Sequence, residues 1–121
     1  MATEIVGTIS PRVAELLSLN GLANGTIYLG ETNIAHMQAC HPTDYEKYGA
    51  SIALILKEPD YVGKNEKDGS IEYVKEFLVD HEYVKVAVRV SLSGRLFARS
   101  LYVLNRKRVE NFIAKGTLKK T

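Results

Sequence analysis

The sequence predicts an α+β fold: N-terminal helices packed on one face of a roughly four-stranded antiparallel sheet, followed by a short basic C-terminal helix. Helical patterns and caps dominate the first sixty residues, whereas residues 61–104 are extended segments joined by turns. With 121 residues and no linker or internal repeat, we expect a single domain over residues 1–121.

The first elements are a short strand and a capped helix. Residues 4–9 suit a strand, and Ser10-Pro11 then supplies an N-cap and a proline at the first helical position. Asn20-Gly21 is expected to end this helix. A strand over 26–29 follows and stops at Gly30.

Two further helices are predicted before the main strands. The first runs from Thr32 or Asn33 to about Cys40, where Pro42 prevents its continuation. The second begins with the spacing of a capping box, Thr43 with Glu46, and should continue to about residue 57.

The remaining chain forms extended segments and a final helix. Strands are expected from residue 60, over 71–78 after an Asp68-Gly69 turn, and over 83–104 as a hairpin. Asn105 should cap a basic helix over 106–115, and Lys119-Lys120 should form a loose tail.

The hairpin over 83–104 has one apolar and one cationic face. A two-residue turn at Ser93-Gly94 pairs Val86 with Leu101 on the apolar side. On the other side, this register pairs Lys85 with Tyr102, Ala87 with Ser100, and Arg89 with Ala98. A three-residue turn would shift the register and pair Arg89 with Arg99 instead. We favour the first register because it keeps the apolar residues together.

Charge is divided unevenly along the chain. Residues 83–121 carry 10 Lys/Arg and one Asp/Glu, a net +9, whereas residues 1–82 carry 6 and 13, a net −7. A basic segment folded onto an acidic body suits a polyanionic ligand. The alternative interpretation is that these charges form ion pairs within the protein, or lie on the solvent-exposed sides of strands and of the final helix.

The histidines at positions 36 and 41 are the first candidates for proton transfer, because imidazole titrates near neutral pH. They converge on one site only if the helix ends before His41. A metal site would need a third ligand, and Cys40 is the only obvious local one, so we expect no metal. The alternative is that His36 packs and His41 lies on the surface. Phosphate loops of the GxGxxG or GxxxxGK type are absent from the sequence.

Cys40 is the only cysteine, so an intramolecular disulfide is impossible and we expect a reducing, cytoplasmic environment. The longest apolar run, over 50–56, is too short to span a membrane, and we expect no membrane partner. No signal peptide is apparent at the N-terminus.

A series of short motifs resembles a known family. They are Leu29-Gly30-Glu31-Thr32, His36-Met37, His41-Pro42, Glu58-Pro59-Asp60-Tyr61-Val62, Ser70-Ile71-Glu72-Tyr73-Val74-Lys75, Val86 to Arg89, and Arg99-Ser100-Leu101-Tyr102. In this order, over about residues 26–118, they resemble the phage-associated branch of the superfamily that groups barnase, EndoU, the colicin tRNases and RelE-like toxins.

The resemblance implies a single ribonuclease-like domain that cleaves RNA without metal or cofactor. Its reaction would be attack of the ribose 2′-hydroxyl on the adjacent phosphorus. Roles carried over by the resemblance are acid/base catalysis for His36 and His41 and charge stabilisation for Lys75. Arg99, Ser100 and Tyr102 would hold the scissile phosphate, with Arg89 nearby; Lys85 shares this cationic face.

We therefore expect an endoribonuclease of phage or prophage origin, acting on tRNA or mRNA in the bacterial cytoplasm, with a possible cognate inhibitor protein. Two alternatives stay open. One is a non-catalytic nucleic-acid-binding module. The other is a phage structural or protein-interaction domain whose basic face meets an acidic protein.

Overall fold

Seven strands form one mixed sheet in the computed structural model, which describes residues 3–121. The strands are β1 (Thr3–Thr8), β2 (Thr26–Gly30), β3 (Tyr61–Lys64), β4 (Ile71–Phe77), β5 (Glu82–Val90), β6 (Leu96–Leu104) and β7 (Leu118–Lys120). Their spatial order is β1-β2-β6-β5-β4-β3-β7. The β2–β6 pair is parallel, and the other neighbouring pairs are antiparallel.

The predicted four-stranded antiparallel sheet with N-terminal helices on one face is therefore wrong. The predicted strands from residue 61 to 104 form, but β1 and β2 extend the sheet beyond β6, and β7 extends it beyond β3. The three added strands are short, so alternation within each one does not indicate its neighbour. Lys119 and Lys120, expected as a loose tail, belong to β7 and pair with β3.

Five α-helices pack around the sheet in the part of the chain that the structure describes. They are α1 (Pro11–Leu16), α2 (Glu31–Cys40), α3 (Pro42–Tyr48), α4 (Ile52–Lys57) and α5 (Arg106–Ala114). The predicted caps at Ser10 and Asn105 are confirmed: Ser10 Oγ accepts from the N–H of Val13, and the Asn105 side chain accepts from Lys107 and Arg108.

The predicted long third helix is instead two helices separated by a 3₁₀ turn over Gly49–Ser51. A β-carbon on Gly49 would lie only 2.9 Å from the Tyr45 ring, so the chain needs a glycine at this break. The expected Thr43–Glu46 capping box is also wrong. His41 is the N-cap of α3, one residue before Pro42, and it makes no side-chain capping bond.

Both faces of the sheet are covered, but unequally. The larger core joins one face to side chains of α1 to α4, among them Val13, Met37, Tyr48 and Ile55. A smaller core on the other face surrounds Val109 of α5. Helix α5 packs there against Val74, Tyr83, Leu104 and Leu118, so the part of this face nearer the β5–β6 turn is left open.

The β5–β6 hairpin contains a bulge at Arg99. Lys85 pairs with Tyr102 and Ala87 with Ser100, as the favoured register predicts, but the register shifts by one before Val88, which pairs with Ala98. The loop is also one residue longer than expected, because the Ser91 N–H donates to the carbonyl of Arg95. The favoured register is thus confirmed for the half of the hairpin away from the turn and wrong near the turn.

Candidate active site

Cationic and hydroxyl side chains share the open part of the sheet. We define the basic face as Lys85, Ala87 and Arg89 on β5 with Ser100 and Tyr102 on β6. Alternation along β5 puts its three residues on one side, and residues paired directly across the ladder share that side. The opposite side of β5 carries Val84, Val86 and Val88, which are buried in the larger core.

His41 reaches the basic face through the packing of α2 and α3 against β6. It is both the C-cap of α2 and the N-cap of α3, with φ −141° and ψ 66°, so the chain turns at this residue. Its ring stacks on the Tyr102 ring, with centroids 4.8 Å apart and an interplanar angle of 24°. An imidazole therefore lies beside the phenol on the basic face.

Lys85 is held in a largely buried ion pair. Its Nζ lies 2.9 Å from Glu72 Oε2 and 4.7 Å from the centroid of the Tyr102 ring, and both charged side chains are 13% exposed. Burial alone lowers the pKa of Lys85, but its interactions with Tyr102 and Glu72 outweigh burial and raise it above its ordinary value. Lys85 is therefore a fixed cation at neutral pH and not a proton acceptor.

His36 lies one helical turn before Cys40. The Cys40 Sγ is 3.7 Å from both ring nitrogens of His36. Asn33, His36 and Cys40 follow the i, i+3, i+7 spacing of one helix flank. Asn33 on this flank lines a cavity with Arg99, while His41 at the end of the helix stacks on Tyr102. Helix α2 thus runs alongside β6 from Arg99 towards Tyr102, and His36 is an exposed residue of this helix.

Arg99 is exposed at the bulge, where it lines a cavity of about 360 Å³ at the start of α2. Arg89 lies near the loop between β3 and β4. Hydrogen bonds from Ser70 lower the pKa of Asp68 in this loop, and the charges of Arg89 and Lys85 lower it further. The loop therefore adds an acidic group to the edge of the basic face.

Lys75 is not brought to this face. Tyr73 and Lys75 alternate with Glu72 and Val74, and Tyr73 is buried in the larger core, on the side opposite Lys85. The Lys75 ammonium donates to the carbonyl of Glu58 at the end of α4, 2.8 Å away. The structure therefore brings together Lys85, Arg89, Ser100, Tyr102 and His41, with Arg99 exposed at the bulge. It leaves Lys75 apart, and the contact it gives for His36 is with Cys40 on α2.

Glu72 is the site residue that sequence reasoning missed. It pairs with Ala87 on the neighbouring strand, which puts it diagonally opposite Lys85 on the basic face. Residues 71–77 alternate between the two faces of the sheet, since Tyr73 faces the larger core and Val74 is buried against α5. This alternation indicates that Glu72 lies on the same face as Val74. The pairing partner of β4 was also needed, and the sequence alone did not supply it.

An aromatic pair continues the basic face towards β2. The rings of Tyr28 and Phe97 lie 5.9 Å apart, and the Arg95 guanidinium lies 5.4 Å from the centroid of the Tyr28 ring. Phe97 pairs directly with Arg89, so it shares the side of the basic face. Aromatic rings next to cations suit nucleic-acid bases and phosphates.

Within residues 3–121, no group of three or more His, Cys, Asp or Glu side chains is arranged to hold a metal ion. None of the helices described for this part of the chain has the length and apolar character needed to cross a membrane.

Comparison with protein families identifies the family to which the site belongs by its sequence. Residues 3–111 match the family model described as phage-Barnase-EndoU-ColicinE5/D-RelE like nuclease3. Neither the curated proteins nor the solved structures gave a significant match. The match spans the basic face, His36, His41 and the first six residues of α5.

Proposed function

The chain belongs to the family of phage-Barnase-EndoU-ColicinE5/D-RelE like nucleases, and on that premise we propose that it is a metal-independent endoribonuclease. The observation that carries the proposal is the stack of His41 on Tyr102 beside the fixed cation Lys85. A proton-transfer group, a hydroxyl and a positive charge lie together on an open surface, as phosphodiester cleavage requires.

The reaction is transesterification within the RNA backbone. The 2′-oxygen forms a bond to the adjacent phosphorus, and the bond from phosphorus to the 5′-oxygen breaks. A base takes the proton of the 2′-hydroxyl, and an acid gives a proton to the leaving 5′-oxygen. The products are a 2′,3′-cyclic phosphate and a free 5′-hydroxyl.

We assign proton transfer to the two histidines. His41 has the stronger support because its ring contacts Tyr102, whereas His36 is exposed on α2, the helix that packs against β6. A neutral imidazole accepts a proton and an imidazolium donates one, so one pair of histidines supplies both roles. The direction in which the RNA chain crosses the basic face determines which of the two histidines acts as the base.

Cations and hydroxyls of the basic face hold the phosphate. Lys85, Arg89 and Arg99 attract it, and Lys85 offsets the negative charge that develops on the phosphoryl oxygens. Ser100 and Tyr102 supply hydroxyl donors for the same oxygens. Glu72 is a positioning residue, because its carboxylate fixes the Lys85 ammonium. Lys75 has no part in this site.

Incubation of the protein with single-stranded RNA in EDTA tests the proposal. Fragments with 2′,3′-cyclic phosphate ends are expected, and their formation should not need a divalent ion. RNA left intact at micromolar enzyme, by protein whose fold is verified by circular dichroism, would rule out the catalytic role.

A nucleic-acid-binding module is the second candidate function. Its support is the Tyr28–Phe97 pair with Arg95, which offers a stacking surface that does not involve the histidines. This candidate predicts salt-dependent RNA binding without cleavage. The same incubation, combined with a binding isotherm at two salt concentrations, separates the two functions.

The proposed function implies a cellular location and a kind of inhibitor. A nuclease that acts on tRNA or mRNA would work in the bacterial cytoplasm, where its substrates are. An inhibitor protein that covers the basic face would have to present acidic side chains, because the face carries Lys85, Arg89 and Arg99.

A further inference from the structure

A cavity of about 430 Å³ adjoins the basic face on the side of α5. It lies between the sheet, α5, the start of β7 and the loop that follows β3. Glu72, Lys85 and Tyr102 line it together with residues from these elements. The side chains that hold the phosphate in the proposed reaction are therefore also one wall of this cavity.

The lining of the cavity is apolar at its floor and polar at its rim. Val74, Leu104 and Leu118 form the buried floor. The Phe112 ring stands beside them, with the guanidinium of Arg108 5.8 Å from its centroid. The polar rim continues on the loop after β3 with Asn65 and Lys67. A flat heterocycle with apolar faces and a polar edge matches this arrangement, whereas a phosphate alone would gain nothing from the floor.

We propose that this cavity binds one nucleobase of the RNA, next to the phosphate held by Lys85, and that it sets the base preference of cleavage. This inference rests on the proposed function, because it takes the basic face as the place of the scissile phosphate. Phe112 and Leu118 lie after residue 111, where the family match ends. The base preference would therefore depend on a part of this chain that the family model does not cover.

Asn65 and Arg108 are the residues we assign to the base edge. Asn65 has donor and acceptor groups for the edge of a base, and its Oδ1 also accepts the backbone N–H of Lys67, which orders the loop. Arg108 is exposed on α5. Its guanidinium would stack on the base, or donate a hydrogen bond to it, from the side of the cavity opposite Asn65. Lys107, its neighbour on α5, is also exposed but does not line the cavity, so it provides a matched control.

Titration of ¹⁵N-labelled protein with the four nucleoside 3′-monophosphates, and separately with inorganic phosphate, tests the cavity directly. The nucleotides should shift amide signals of the basic face and of residues 65–67 and 117–118. Inorganic phosphate should shift the basic face alone. The Arg108→Ala variant should weaken binding of the preferred nucleotide about 5- to 50-fold, and Lys107→Ala should change it less than twofold.

A cleavage experiment with abasic substrates completes the test. Replacing one base next to the cleaved bond by hydrogen should lower kcat/KM in the wild type and have little effect in Arg108→Ala. Nucleotide shifts at 65–67 and 117–118 without any cleavage would support the cavity and refute the proposed enzyme. Cleavage that is indifferent to abasic sites, with nucleotide shifts confined to the basic face, would refute the cavity and leave the enzyme standing.

Discussion

Asp44 Oδ2 accepts a hydrogen bond from the backbone N–H of Val103 at 3.0 Å, across 59 residues of sequence. Strand β2 pairs with β6 only at Leu96 and Phe97, so this part of β6 has no strand on that side. The Asp44 carboxylate takes the place of a strand partner and fixes the first turn of α3 to the sheet. It thereby holds His41 against Tyr102.

Removing this acceptor should reduce both stability and cleavage. In Asp44→Ala, the half-buried N–H of Val103 loses its partner, and we expect a loss of about 1–3 kcal/mol in the free energy of unfolding. Asp44→Asn keeps an acceptor oxygen and should lose less. Urea denaturation measures both variants, and equal stability of the alanine variant and the wild type would refute the anchoring role.

His41 should be the more sensitive histidine in the cleavage assay. Its replacement by alanine removes the group that touches Tyr102, and we expect about 10²- to 10⁴-fold lower kcat with an intact fold. His81→Asn is the matched control, because His81 is exposed in the β4–β5 turn and its φ of 53° suits asparagine. The same loss in His81→Asn would show that the effect is not specific to the site.

The Lys85–Glu72 pair should behave as a coupled unit. Removing one member leaves a largely buried, unpaired charge, so the losses of stability in Lys85→Met and Glu72→Gln should add up to more than the loss in the double variant. A double-mutant cycle by chemical denaturation measures the coupling. Additive losses would contradict it.

The contribution of Lys85 to stability should depend on pH in a defined direction. Because its folded pKa is raised, its stabilising effect is complete below the ordinary lysine pKa and is lost as pH rises through the folded value. The stability difference between wild type and Lys85→Met should thus be constant from pH 6 to 9 and shrink above about pH 10.5. A difference that shrinks between pH 6 and 9 would contradict this assignment.

The Tyr73 hydroxyl is expected to be dispensable. Tyr73 is fully buried, burial raises its pKa, and its hydroxyl meets no hydrogen-bond partner within residues 3–121. Tyr73→Phe removes the unsatisfied group and keeps the ring, so stability should be unchanged or higher by up to about 1 kcal/mol. Tyr73→Ala, which leaves a cavity, should cost about 3–5 kcal/mol. Thermal unfolding of both variants distinguishes the two contributions.

Parts of the site were predictable because they depend on local pattern. Period-2 alternation over 83–90, with a turn signal nearby, was enough to pair Lys85 with Tyr102. The cap at Asn105 needed only the residue type and the basic helix that follows it. His41-Pro42 indicated a helix break, and the break is what turns the imidazole towards the sheet.

The rest depends on contacts between segments distant in sequence. Glu72 joins the site through the pairing of β4 with β5, and β2 lies parallel to β6 through two residue pairs only. Neither strand pairing can be inferred from the sequence of one strand alone. The wrong assignment of Lys119 and Lys120 has the same cause, because the three-residue strand β7 is defined by its partner β3 and not by its own alternation.

The bulge at Arg99 divides the β5–β6 hairpin into two segments, each with its own register. Ala87 pairs with Ser100 and Val88 with Ala98, so Arg99 has no partner of its own between them. A chain shortened by this one residue would therefore keep every other pair and restore a continuous ladder. The hairpin thus has a position where a deletion removes the Arg99 guanidinium without moving Tyr102, so the length of the hairpin and the stack of His41 on Tyr102 can vary independently.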